Sequence, residues 1–259
     1  MRSPATVSSR SGETPPRSVR GARWPRGAVV AVMFAMAVTV VAAALGQTLL
    51  DDARLVWRAA VFAFLGGGLL LWLVAKHLTA ASFGAANLVT LARGALTLLL
   101  LALLGAPAEA TLGWLTVALG IVAVALDGVD GQLARSRGEV SDFGARFDME
   151  TDALLILVLA ALVWQLDKAG AWILLAGLLR YLFVAASYVW SWLARPLAPS
   201  RRRQTICVLQ IVSLLGALAP LVAPAQSSLM ALLGLLLLVW SFAIDVAWLA
   251  RRASSSAAR

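Results

Sequence analysis

The sequence predicts an all-α fold, a polytopic membrane helix bundle, and three observations predict it. Apolar residues make up 61% of the chain and charged residues only 14%, with a mean hydropathy of +0.86. Eight apolar segments follow one another, each near the ~20 residues that a helix needs to cross a hydrocarbon core of about 30 Å. Lys and Arg collect in alternate connections between them, as they do where every second connection faces the cytoplasm. A backbone in lipid must satisfy its own N–H and C=O groups, and helices do so within each segment. These features exclude a soluble enzyme or a secreted disulfide scaffold of 259 residues.

The segments are read in order as 28–50, 56–75, 88–105, 112–133, 145–166, 171–193, 204–223 and 228–250. Residues 1–27 precede them as a basic tail rich in Arg, Ser and Pro, too polar to bury a core and expected to be disordered. The apolar run from Ala28 to about Leu45 exceeds the ~7–15 residues of a signal-peptide core, so it is read as an uncleaved first helix. Pro107, Pro196, Pro199, Pro220 and Pro224 fall at or near segment ends, where a missing N–H is tolerated. The stretch from Lys76 to Asn87 is too polar to span and is expected to lie along the interface before the third helix. A short tail, 253–259, closes the chain. The ten Trp lie mostly near segment ends, as an interfacial belt requires.

Placing the N-terminus inside gives the inside connections the tail arginines, Lys76, Arg93, Arg135, Arg137, Arg146, Arg195, Arg201 to Arg203, Arg251 and Arg252. The outside connections then carry only Arg54, Arg58 and Lys168. Both termini are therefore expected in the cytoplasm, in a protein of the cell membrane. The single cysteine, Cys207, lies in an apolar run and reads as a small buried hydrophobe. His77, the only histidine, reads as solvated at an interface.

Between the fourth and fifth segments stands DGVDGQLARSRGEVSDFGARFDMETD, residues 127–152. Asp127 and Asp130 lie three apart at the end of one helix, and Asp148 and Asp152 four apart at the start of the next, so each pair shares a helical face. The connection is short, which predicts antiparallel neighbours whose four carboxylates converge at the cytoplasmic mouth. Unneutralised, they would repel one another strongly. Mg²⁺ or Mn²⁺, hard ions that take oxygen ligands, would relieve that repulsion, and a two-metal site could clamp a phosphate. Gly131 and Ala134 leave room for a nucleotide, Arg135 offers a planar fork to phosphate oxygens, and Gly144 relieves crowding where the chain re-enters the membrane. A lone Asp-x2-Asp reads as a solvated helix end. Eight fixed positions together have chance odds on the order of 10⁻⁸.

That pattern, D-x2-D-G-x2-A-R-x8-G-x3-D-x3-D, resembles the signature of the CDP-alcohol phosphatidyltransferases (class I) and matches it at every fixed position. The resemblance covers about residues 79 to 250. It implies a six-helix core, with 76–252 as the transferase domain and 28–75 as two additional N-terminal helices. It implies transfer of a phosphatidyl or other substituted phosphate group from a CDP-alcohol, foremost CDP-diacylglycerol, to an alcohol or phosphorylated alcohol, with release of CMP. It implies that Asp127, Asp130 and Asp148 ligate two ions. Asp152 would touch the second ion and take the proton of the attacking hydroxyl. Gly131, Ala134, Arg135 and Gly144 would border the CDP moiety, joined by Ser141. Asn87-x2-Thr90 resembles a Pro-Asn/Asp-x-x-Thr stretch of the donor site, with Ala86 in place of the proline. Membrane lipids and a homodimer are further partners that the resemblance implies; nucleic acid is not expected.

Other charged residues carry two readings each. Arg180, inside the sixth segment, either pairs with a carboxylate or reaches a substrate phosphate. Arg201 to Arg203 either anchor to anionic headgroups or recognise a phosphorylated acceptor. Asp245 reads as a structural polar contact. Asp51 and Asp52 fall on the opposite membrane face from the acidic cluster, so the first two helices are expected to act through packing, insertion or oligomer contacts. An intramembrane prenyltransferase would need a second Asp-rich loop, and none occurs. A transporter would spread its acids over several helices, whereas these cluster at one junction.

Overall fold

A computed structural model of the protein describes residues 25, 27–78, 83–137, 141–197 and 200–257, with the backbone alone for 129–137 and 255–257. Among the described residues there are eight α-helices and no strand. They are α1 (Ala28–Leu50), α2 (Leu55–His77), α3 (Ala85–Ala102), α4 (Ala110–Arg137), α5 (Asp142–Gln165), α6 (Leu175–Val189), α7 (Arg201–Leu218) and α8 (Pro224–Ala257). Single 3₁₀ turns at Ala171–Leu174 and Ser191–Ala194 flank α6. Six spans are long and apolar enough to cross a membrane: α1, α2, α3, Ala110–Gly128 of α4, Ala171–Val189 and Pro224–Ser254 of α8. Arginines open α7 and acids open α5, and these charges separate the two helices from the other six.

The chain is an integral membrane protein by this architecture, and its surface agrees. Large apolar side chains such as Val30, Phe34, Leu65, Trp72 and Leu236 stand exposed, as a bundle bathed in lipid tails requires. Packing between helices then depends on close approach rather than on expulsion of water. Gly66 and Gly67 supply it in α2: a Cβ would lie 2.7 Å from Leu98 of α3 at the first and 2.5 Å from Met36 of α1 at the second. A main core runs through α3, α5 and α7 around Leu100, Leu155, Leu159, Leu162 and Leu214. A smaller one joins α1 and α2 to Phe83 and Leu91.

One end of the bundle is held by polar contacts. Asp52 pairs with Arg58 and accepts a hydrogen bond from the Arg54 N–H at 3.0 Å. In the α3–α4 turn, Gly105 adopts φ +83°, which a residue with a Cβ resists. Its N–H donates to Gln165 Oε1 at 2.7 Å, and the Gln165 amide donates to Ala106 O at 3.1 Å. Lys168 Nζ donates to Val222 O at 2.5 Å, closing the α7–α8 connection.

One sequence expectation changes. Lys76 and His77 continue α2, and Ala85 to Asn87 already belong to α3; the interfacial stretch read at 76–87 is therefore helix at both ends, and its middle lies outside the described residues, as do the tail through Trp24 and Pro199. More consequentially, α4 and α5 each pack against both α3 and α7. Both helices therefore frame the acidic cluster, and α3 carries a side chain that the carboxylates share.

Candidate active site

The acidic cluster forms where the end of α4 meets the start of α5. Ser141 is the N-cap of α5: its Oγ accepts from the Gly144 N–H at 3.0 Å, satisfying one of the donors that a helix start leaves open. Asp148 and Asp152 follow along α5 and turn toward Asp127. Ligand oxygens of Asp127, Asp148 and Asp152 lie within 4.8 Å of one another. Asp130, Gly131, Ala134 and Arg135 follow on the continuous backbone of α4, and their side chains lie outside the described residues.

The sequence reading missed what these carboxylates surround. Arg93, in the middle of α3, is 1% exposed. Its Nη1 lies 2.8 Å from Asp127 Oδ1 and 2.5 Å from Asp148 Oδ1, and its Nη2 pairs with Asp152 Oδ1. A lone guanidinium at that depth would be costly; three carboxylates hold it. The signal was present as a polar face on an apolar helix, Asn87, Thr90, Arg93 and Thr97, all buried, at helical spacing. Counting Arg93 only toward orientation hid it.

Cys207 is the second omission. From α7 its thiol donates to Asp152 Oδ2 at 3.8 Å while the residue, half-buried, packs against the main core as expected, so it both fills core and borders the acidic cluster. Both oxygens of Asp152 thus meet protein groups, one a strong cationic donor and the other a weak thiol.

Asn87 and Thr90 stand beside the cluster. The Asn87 amide donates to Phe83 O at 2.6 Å, and the Thr90 hydroxyl to Ala86 O at 3.2 Å. A Cβ at Gly144 would lie 2.9 Å from Asn87 Oδ1 and 3.1 Å from Ser141 Oγ. Gly144 is therefore where α5 approaches the polar face of α3, bringing Asn87 beside the Ser141 cap.

The remaining charges resolve toward pairing. Arg180 pairs with Glu150, and Asp245 takes Arg202 at 2.5 Å and Arg203 at 3.5 Å. Arg202 also donates to Ser241 O at 2.8 Å, so α8 holds two of the three consecutive arginines.

Three carboxylates from two helices around one point are a donor set that suits a hard divalent ion. Asp127 and Asp148 are 33% and 42% exposed while Arg93 is buried, so the cluster opens to solvent on one side and rests on a cation on the other. Comparison with curated proteins and with solved structures gives no match. The family description of the CDP-alcohol phosphatidyltransferases matches residues 83–246, which contain every residue of this site. The chain therefore belongs to the CDP-alcohol phosphatidyltransferase family, whose members transfer a substituted phosphate group from a CDP-alcohol to a hydroxyl.

Proposed function

We propose that this enzyme moves a phosphatidyl group from CDP-diacylglycerol to a small alcohol or phosphorylated alcohol, releasing CMP, in phospholipid biosynthesis. The observation that carries the reading is the convergence of Asp127, Asp148 and Asp152 at the end of a membrane-embedded bundle. A lipid-linked donor can reach such a site from the bilayer while its nucleotide stays in water. Asp127, Asp130 and Asp148 would hold two Mg²⁺ or Mn²⁺ ions, with Asp152 touching the second. When bound, the ions supply charge to polarise the diphosphate.

The residues of the chain divide the remaining work. Arg135 pairs with phosphate oxygens, and Gly131, Ala134 and Gly144 leave space for the CDP moiety. Asn87, Thr90 and Ser141 line the donor side. Asp152 accepts the proton of the attacking hydroxyl at Oδ2, the oxygen engaged only by a weak thiol donor. Residues 76–252 form the transferase unit and 28–75 an addition to it. Positive charge in alternate connections supports a cell-membrane protein with both termini and the site facing the cytoplasm, where CDP-linked donors are made. In a Cys207→Ala background, cysteines at Gly138 and Ser254 should escape impermeant thiol reagents in intact cells and one at Pro107 should be labelled; the reverse pattern inverts the orientation.

The deciding experiment measures CMP release by purified protein from CDP-diacylglycerol, across a panel of alcohols, with Mg²⁺ or Mn²⁺. Release that depends on one acceptor supports the reading. Turnover only with a different CDP-alcohol would refute the diacylglycerol donor, and full activity in EDTA would refute the metal site.

A further inference from the structure

We propose that Arg93 is a positioning residue that fixes the three carboxylates from their buried side and holds down their affinity for divalent ions. The inference rests on the metal site of the proposed function and concerns what that site stands on. One guanidinium contacts Asp127, Asp148 and Asp152 at once, and these come from two helices that both pack on α3. Arg93 thus joins all three. Its planar fork suits the task because two Nη atoms fix the directions of three acceptors.

Burial decides which side the cation occupies. Arg93 is 1% exposed, whereas Asp127, Asp148 and Asp152 are 33%, 42% and 22% exposed. The guanidinium therefore floors the cluster, and the second oxygen of Asp152 takes the Cys207 thiol. An incoming ion meets acids already converged, which favours binding, but also a fixed positive charge behind them, which opposes it. Three carboxylates against one guanidinium leave a net negative site, so binding persists. It is weaker and more readily reversed than three acids alone would give. A site that must admit a charged nucleotide and then release CMP benefits from loosely held ions.

The test uses Arg93→Gln and Arg93→Lys in the full-length protein. It reads Mn²⁺ binding by electron paramagnetic resonance and thermal unfolding in EDTA and in Mn²⁺. Removing the unit charge in Arg93→Gln should tighten Mn²⁺ binding by at least about tenfold. Its unfolding temperature should fall in EDTA, where three acids face one another unbalanced, and recover in Mn²⁺. Arg93→Lys keeps the charge without the fork; it should bind Mn²⁺ within about threefold of wild type yet unfold earlier in EDTA. A purely structural arginine would lower stability equally in EDTA and Mn²⁺, and that result overturns the proposal. Weaker Mn²⁺ binding by Arg93→Gln, or binding by Arg93→Lys weaker by more than about threefold, also overturns it. If Arg93→Gln cannot be obtained folded even in Mn²⁺, the proposal is overturned as well. Wild-type protein that binds no Mn²⁺ would instead refute the metal centre of the proposed function.

Discussion

Replacing Asp148 by Asn should abolish metal binding and turnover while leaving the metal-free fold almost unchanged, and the structure gives the reason. Asp148 repels Asp127 and Asp152, whose oxygens lie within 4.8 Å. At an effective dielectric of about 20, each such repulsion is worth roughly 3.5 kcal/mol, so two amount to about 7. The same carboxylate attracts Arg93, with closest atoms at 2.5 Å and charge centres roughly 4 Å apart, which is worth about 4 kcal/mol. Neutralising it removes all three terms, leaving a difference of about 3 kcal/mol in favour of the variant. Solvent reaches 42% of the side chain and screens every term, which brings the expected change to about 1 kcal/mol. The assay is thermal unfolding in EDTA and in saturating Mn²⁺, with CMP release measured in parallel. Ions at a hundredfold excess over their dissociation constant stabilise the wild type by about 2.7 kcal/mol. In Asp148→Asn that shift should disappear, the EDTA curve should match or slightly exceed wild type, and turnover should be lost. A variant that unfolds far earlier in EDTA would show that the repulsion is not real. One that keeps the Mn²⁺ shift would remove Asp148 from the ligand set.

Three further outcomes follow. Asp152→Asn should retain most CDP-diacylglycerol affinity while transfer is lost, because its Oδ2 handles the acceptor proton; parallel loss of affinity and rate would make it chiefly a metal ligand. Burial and the neighbouring Asp152 push the Cys207 thiol well up, so a membrane-permeant maleimide should react with it only slowly and faster at high pH. The adduct, 3.8 Å from Asp152, should then inactivate the wild-type protein. Inactivation that persists in Cys207→Ala would place the sensitive group elsewhere, where no other cysteine exists. Deletion of residues 1–75 should lower thermal stability more than turnover per folded molecule, since α1 and α2 pack on the outer side of α3 and uncover Leu98 when removed. A well-folded truncation that binds Mn²⁺ but does not transfer would show that these helices shape the substrate pocket.

The sequence by itself determined the helices and the chemistry of the motif, because both are local properties. A run of apolar residues must become helix in lipid whatever surrounds it, and Asp127, Asp148 and Asp152 keep their spacing along the chain. Ser141 and Gly144 stood out in the motif, although the helix cap and the close approach to Asn87 that use them were not legible there. Only the tertiary structure decided which helices face one another. Contacts between membrane helices lack a hydrophobic signal, since lipid tails are as apolar as leucine, and they turn on small residues and single polar groups. The short 127–152 connection therefore suggested that α4 and α5 are neighbours, but not that both would pack on α3 and α7. The same arrangement brings Arg93 and Cys207, 34 and 80 residues from the motif's first Asp, into contact with its carboxylates. Neither distance is written in the spacing of the motif; both follow from the one packing in which a buried cation and three acids satisfy each other.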